Sequence, residues 1–407
     1  MLGLVFLLAI VLMLVAGGCA PKAVEAPPLK IGQLNSFTGD LSDFGGAHRN
    51  ASSLAADHVN RAGGVLGTVV TIAAKDTATN PVQGVDSARA LVEIDKVVAI
   101  VGALASGVTI PVAESVTVPN NILQISAAST SPGLTVLADN DFLFRTTVSD
   151  AIQGVIMGRL AKELGYNTAS ALYINNAYGE GLAQEFKAAF EAAGGTILEL
   201  VPTEGVQPTY ASELAKATAG NPDVLAAISY PESGEVYLRE AIEGGYIDTF
   251  LFCDGTKSPA MNEAVGWENL EGSYGTAPGA PVAAARQAFD AAYEASFAAV
   301  PPLPFMAETY DAVVLIALAA EKAGTTTDSA AIRDALRAVA NPPGEIVGPG
   351  VDSIKRALYL IQEGKDINYE GAAGSQDFDA NGDVISTIEI WKIEGGAIVS
   401  TGRYELP

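Results

Sequence analysis

The chain has 407 residues, 49% of them hydrophobic and only 17% charged, with a formal net charge of −24. That length exceeds what one core usually supports and points to two lobes, and the apolar content excludes intrinsic disorder. The acidic balance, with no clustered Lys and Arg, excludes a nucleic-acid partner, because phosphate binding needs clustered cations.

Residues 1–18, MLGLVFLLAIVLMLVAGG, form a charge-free apolar run that ends in the small pair Gly17-Gly18 before Cys19. This reads as an export signal stopping at a lipid-attachment cysteine. The arrangement resembles the lipobox of bacterial lipoproteins, although Ala16 stands where that motif prefers Leu and no Lys or Arg precedes the run. The resemblance implies a signal peptide over 1–18, a lipidated Cys19 and a tether over 19–28. The chain is then extracytoplasmic and anchored to a bacterial membrane, at the periplasm or cell surface. The same run is also long enough for an uncleaved membrane helix, and that alternative stays open. With Cys19 lipidated, Cys253 has no intramolecular partner, so no disulfide supports the fold.

From Leu29 onward, short β-branched runs alternate with amphipathic stretches, which calls for an α/β fold with mainly parallel sheets. Strands are expected at LKIGQL from Leu29, TVVTIAAK from Thr68, VVAIV from Val97 and ILQIS from Ile122. The stretch HRNASSLAADHVNRAGG between the first two reads as a helix stopped by Gly63-Gly64. Its two histidines, His48 and His58, fit no metal pattern and read as solvated helix residues.

The pattern repeats with strands at TASALYI from Thr168, TILELV from Thr196, DVLAAIS from Asp223 and TFLFC from Thr249. Between the first two lies a helix with Leu182, Phe186 and Phe190 on one stripe. Past Ala277 the chain turns helical, then ends in strand-like VISTIEIWKI and AIVSTGRYEL. These last segments are expected to complete existing sheets and not to build a third.

In open α/β sheets, ligands bind beyond the carboxyl ends of the strands. Ser106 follows VVAIVG and stands just before a helix, where a hydroxyl and free N–H groups suit a carboxylate. Thr130 and Ser131 precede Pro132 after ILQIS and make a second such cluster. Each is also an ordinary helix cap. The second half supplies Tyr178, Tyr230 and Asp254, each just past a strand. Asp254 can pair with an ammonium, because a carboxylate buried in a cleft is costly unless paired; it can equally be a turn residue before Gly255.

Residues 29–407 resemble the type I periplasmic binding proteins that serve branched-chain amino acid ABC importers. The resemblance is carried by KIGQLNSFTGDLSDFGGAHRNASSLAADHVNRAGGVLG, ISAASTSPGLT, YGEGLA from Tyr178, YPESG from Tyr230, ETYDAV from Glu308 and YEGAAGSQDFDANGDV. It implies two doubly wound lobes of the Venus-flytrap kind joined by three crossover segments, one built from 29–147 with 278–375, the other from 148–277 with 376–407.

It implies an extracytoplasmic receptor, a monomer without cofactor or metal, that captures an amino acid and delivers it to the permease subunits of an importer. A ligand-sensing ectodomain for an amide or other small amine is the alternative. Ser106 and Thr130 are implied to hold the ligand carboxylate, the Ala128 carbonyl and Asp254 the ammonium, and Tyr230 the main chain. Phe44, Leu104, Ala105, Ser129, Tyr178 and Phe305 are implied to line the side-chain pocket. Asp254, Ser129 and Phe305 stand where leucine, isoleucine and valine binders have Glu, Ala and Tyr. Aliphatic, aromatic and small polar amino acids therefore all remain open, as do amides.

Two further motifs lead elsewhere. DFDANGDVISTIE places Asp377, Asp379, Asn381 and Gly382 as a calcium loop would, but position twelve is Ile388, so the run reads as a polar turn. No GxSxG elbow or phosphate-binding GxxxxGK[ST] motif is present, and a thiolate at Cys253 is disfavoured by the adjacent Asp254. The chain is not expected to be an enzyme.

Overall fold

A computed structural model describes residues 26–407. The proposed signal and Cys19 lie outside the described residues. The chain enters a first body through β1 (Leu29–Asn35), α1 (Ser42–Arg61), β2 (Val70–Asp76), α2 (Pro81–Ala90), β3 (Ala99–Val101), α3 (Ser106–Val112), β4 (Leu123–Ser126) and β5 (Leu143–Arg145). The five strands form one parallel sheet in the order β2-β1-β3-β4-β5. Every strand but β2 is buried almost throughout, as a sheet covered on both faces requires.

The chain then builds a second body from α4 (Asp150–Glu163), β6 (Thr168–Ile174), α5 (Ala177–Ala192), β7 (Thr196–Thr203), α6 (Ala211–Ala217), β8 (Val224–Ile228), α7 (Pro231–Glu243), β9 (Phe250–Phe252), α8 (Pro259–Val265), α9 (Trp267–Leu270) and β10 (Tyr274–Pro278). Leu182, Phe186 and Phe190 of α5 are fully buried, so the period-four stripe faces the core.

Helices α10 (Ala284–Phe297), α11 (Met306–Ala323) and α12 (Ser329–Ala340), then β11 (Glu345–Val347), α13 (Val351–Gln362), β12 (Ile367–Gly371) and β13 (Gly374–Ser375), return to the first body. Residues of α10 to α13 share one apolar cluster with β1, β3, β4 and α1. The last strands, β14 (Ile388–Ile393) and β15 (Ile398–Glu405), run antiparallel beside β10 and complete a seven-stranded sheet, β15-β14-β10-β9-β8-β6-β7. The chain thus passes between the two bodies three times.

Two expectations are corrected. Strands β11, β12 and β13, within the stretch read as helical, form a small third sheet held on the first body by α13 and α12, while the last two segments complete an existing sheet as expected. His48 and His58 are buried, not solvated, because α11 covers their face of α1. The two nitrogens of His48 lie 2.9 Å from Thr309 Oγ1 and 3.2 Å from the Pro304 carbonyl, and burial lowers its pKa to about 4. His58 Nδ1 lies 2.8 Å from Tyr310 Oη. Both neutral rings clamp α1 to the start of α11. That helix is buried from Met306 to Glu321, and each of its Leu, Ile and Val side chains contributes about 1.5–3 kcal/mol relative to exposure.

The DFDANGDV run is a turn: Asp379 accepts hydrogen bonds from the N–H groups of Asn381 and Asp383. Asp383 is then presented to Arg145 at the end of β5, which it grips through two bonds of 2.6 and 2.7 Å. Arg145 is 1% exposed and also donates to the carbonyls of Thr130 and Ser131, at 3.1 and 3.0 Å. The third crossing segment is therefore wired to a loop of the site.

Candidate functional site

A cleft between the two bodies is walled by residues at the carboxyl ends of strands from both sheets. From the first come Leu41 and Phe44 after β1, Leu104 and Ser106 after β3, and Ala128 after β4. From the second come Tyr178 after β6, Tyr230 after β8, and Asp254 with Gly255 after β9; Phe305 enters from the loop before α11. The remaining cavity is about 10 Å³, the room of about one water. A ligand therefore gains access only when the bodies separate.

Local backbone geometry places these groups. Gly102 turns the chain after β3 at φ +120, where a Cβ would stand 2.2 Å from the Leu34 carbonyl. Gly255 lies so close to Tyr178 and Ser229 that a Cβ would meet the Ser229 carbonyl at 2.3 Å. Phe305 has a left-handed φ of 68, an uncommon state for a bulky residue. Its carbonyl accepts the N–H of Thr309 at 3.0 Å, while neutral His48 donates from Nε2 to the neighbouring Pro304 carbonyl and accepts the Thr309 hydroxyl at Nδ1.

Asp254 is the charged centre of the cleft. Its Oδ1 accepts hydrogen bonds from Tyr178 Oη and Gln153 Nε2, each at 2.8 Å, and no side chain among the described residues donates to Oδ2. Burial raises its pKa to about 6, against the opposing pull of those two bonds. Asp150, the first residue of α4, is fully buried just behind the cavity wall, and neither carboxylate oxygen has a hydrogen-bond partner. Burial, then the charge of Asp254, pushes its pKa well above the carboxylate range, while the nearby Thr130 hydroxyl and Arg145 lower it. Two carboxyls thus share one region, and burial together with their mutual repulsion favours the protonated form of both, Asp150 the more strongly. No Lys or Arg lines the cavity.

Tyr178 and Tyr230 stack with ring centroids 5.4 Å apart, and Asn176 Nδ2 donates to Tyr230 Oη at 3.2 Å. Ser106 Oγ accepts the Ser131 N–H at 3.2 Å and marks the end of the cleft opposite the acids in chemical character. Thr130 does not reach the cavity wall. Its hydroxyl is buried without a hydrogen-bond partner of good geometry, and its carbonyl accepts the Asp150 N–H at 2.7 Å. Ala105 is buried but does not line the cavity. Ser129 is corrected from a pocket wall to a brace: its hydroxyl bonds Thr109 Oγ1 at 2.7 Å and the Leu104 carbonyl at 3.1 Å.

The structure adds residues the sequence reading missed. Asp150 stands in the first turn of α4 behind the cap Ser149, with Gln153 about one turn further on, and neither belongs to a motif in the sequence. Only the packing of α4 beneath β10 and Asp254 turns both inward. Cys253 is buried with its pKa raised to about 12, by burial first and Asp254 second. It is not a nucleophile at neutral pH.

Two α/β bodies, joined by three segments and facing each other over a cleft lined by strand ends, define a hinged solute receptor. The chain belongs to the periplasmic binding protein family, whose sequence pattern matches residues 28–355. It is a type I member, of the form associated with branched-chain amino acid transporters.

One relative is the chemotactic signal transduction system substrate-binding protein BasB of Halobacterium salinarum, 29% identical over 87% of this chain and 84% of its own. Another is the leucine-, isoleucine-, valine-, threonine- and alanine-binding protein of Pseudomonas aeruginosa, 30% identical over 79% of this chain and 85% of its own. Among solved structures, a leucine binding protein of Thermotoga maritima superposes with a TM-score of 0.79, at 24% identity, over 93% of this chain and 99% of its own. A solute binding protein of R. palustris in complex with benzoate superposes with a TM-score of 0.77, at 17% identity, over 94% and 97%. These relatives and neighbours are solute-binding proteins and not enzymes.

Proposed function

We propose that the protein captures a small α-amino acid between its lobes and hands it to an ABC importer. The observation that carries this reading is the buried acid Asp254 in a cavity to which no Lys or Arg among the described residues contributes. A buried ionised carboxylate without a counter-charge is costly, and a ligand ammonium supplies that charge. Ser106 Oγ and the N–H groups at the start of α3 receive the ligand carboxylate. The Ala128 carbonyl and Asp254 receive the ammonium, Tyr230 orients the main chain, and Phe44, Leu104, Tyr178 and Phe305 enclose the side chain, while Thr130, expected beside the carboxylate, stands behind the wall. Asp254 disfavours an aromatic acid such as the benzoate held by the R. palustris neighbour, because benzoate brings a carboxylate and no ammonium.

Residues 29–147 with 278–375 move as one lobe, and 148–277 with 376–407 as the other, turning about the three crossing segments. Ligand shifts the balance to the closed form through contacts to Tyr178, Tyr230 and Asp254 that the open form lacks. A lipidated Cys19 tethers the monomer beside its importer; labelling with a palmitate analogue, lost in Cys19→Ser, tests the tether. Isothermal titration with leucine, isoleucine, valine, alanine, threonine and phenylalanine tests the ligand class.

A sensing role is the second reading, supported by the chemotactic relative. Affinity capture from native membranes separates the two: permease and ATPase subunits support transport, and a transmembrane transducer supports sensing.

A further inference from the structure

Adjoining the ligand cleft at Phe305 lies a larger cavity, of about 240 Å³. Its walls come from both bodies and from the segments joining them. The segment after β10 contributes Pro278 to Val282, the loop before α11 contributes Pro301 to Pro304, and β14 and β15 contribute Glu389, Ser400 and Tyr404. Phe305 is common to this cavity and the cleft.

The charges on the wall pair off unevenly. Lys257 Nζ holds Glu389 Oε2 at 2.6 Å, and Arg286 Nε holds Asp290 Oδ1 at 2.8 Å. Glu308, in the first turn of α11, is held by neither cation, although the charges of Arg286 and Lys257 are near enough to act on it. It is 6% exposed, lines the cavity, and its carboxylate accepts no hydrogen bond from any other residue among those described. The remaining wall, with Pro301, Leu303, Met306 and Tyr404, is mostly apolar.

We propose that this hinge cavity is a second ligand site, for a small organic monocation with a primary amine and an apolar body, whose ammonium is received by Glu308. One unpaired carboxylate on an otherwise neutralised wall calls for a single positive charge with hydrogen-bond donors, and the prolines and Leu303 call for a short hydrocarbon. Because the walls move relative to one another when the lobes turn, occupancy here is linked to opening of the cleft. The assignment is independent of the amino-acid reading, since it uses neither Asp254 nor Asp150.

Titration of the full chain with n-butylammonium, and with butyrate as the charge-reversed probe, tests it. The wild type binds butylammonium and not butyrate; Glu308→Gln weakens binding at least tenfold; Asp254→Asn leaves it unchanged. Ser400→Trp, which fills the cavity from β15 without altering α11, also abolishes it and covers the case in which Glu308→Gln fails to fold. The proposal is overturned if butylammonium does not bind the wild type at millimolar concentration. It is equally overturned if folded Glu308→Gln binds as the wild type does, or if Asp254→Asn alone abolishes binding, which places the amine in the cleft.

Discussion

Asp40, in the loop after β1, accepts a hydrogen bond from the backbone N–H of Ser233, the third residue of α7, at 2.8 Å across the cleft. A side chain of one lobe thereby caps a helix of the other. Around it, the Ser42 hydroxyl donates to Glu232, the Ser258 hydroxyl to Asp43, and the Ser131 hydroxyl to the Ala177 carbonyl at 2.7 Å. All four bonds join one lobe to the other. Asp40→Ala is expected to weaken amino-acid affinity by about 0.5–2 kcal/mol, the range for losing a helix cap, although Asp40 does not line the cavity. Titration checks the affinity, and stopped-flow release assigns the loss to faster dissociation.

The two acids behind the cleft are expected to answer differently to the same change. Asp254→Asn removes the counter-charge of the ammonium and is expected to cost about 2–5 kcal/mol of binding. Asp150→Asn leaves the counter-charge of the ammonium in place, because Asp150 does not line the cavity, so affinity is expected to fall by less than about 1 kcal/mol. Parallel titrations of the two folded variants decide; equal losses would reject the division of roles.

Stability without added ligand is expected to rise as the pH is lowered from 8 to about 5. Burial raises Asp40, Asp254 and Asp311 to about 6, and Glu308 to about 7, above the values these groups have in an unfolded chain. Between roughly pH 4 and 7 the folded state therefore holds more protons, and raising the pH through that window destabilises it. Each two-unit shift corresponds to up to about 3 kcal/mol. His48 and His58, kept neutral by burial, oppose the trend as the pH falls below about 6.5, two imidazoles against four acids. Asp76 and Glu389 oppose it only below the ordinary carboxylate range. Melting curves across this pH range check it, and a melting temperature that climbs steadily to pH 8 would oppose it.

Cys253 is expected to resist a thiol reagent in the native protein. Its burial and raised pKa leave almost no thiolate at pH 8. A Cys19→Ser variant should give no reaction with dithionitrobenzoate until it is denatured.

Much of this was legible in local chemistry. The β-branched runs at Leu29, Thr168 and Thr196 begin strands at those residues, and the glycine pair 63–64 ends α1 with φ values of 123 and 74. Tyr178, Tyr230 and Asp254 stand just past β6, β8 and β9, where the strand-end rule looked for them. What escaped depended on distant partners. Strands β5 and β13 have three and two residues, too short to show a period. His48 and His58 are buried by α11, which arrives some 250 residues later in the chain. Ser129 looked free because Thr109, which takes its hydroxyl, lies twenty residues away on another element. Asp150 was hidden by its ordinary place in the first turn of a helix.

The central claim is that the cleft recognises an ammonium and a carboxylate on one small molecule. It is tested most directly by titrating three isosteric probes into the wild type: leucine, 4-methylpentanoate, which lacks the ammonium, and isopentylamine, which lacks the carboxylate. Leucine, or another amino acid substituted throughout if leucine is not the best ligand, should bind at least a hundredfold more tightly than either truncated form. Tight binding of the amine-free acid would contradict the account, because Asp254 and Asp150 would then face no positive charge.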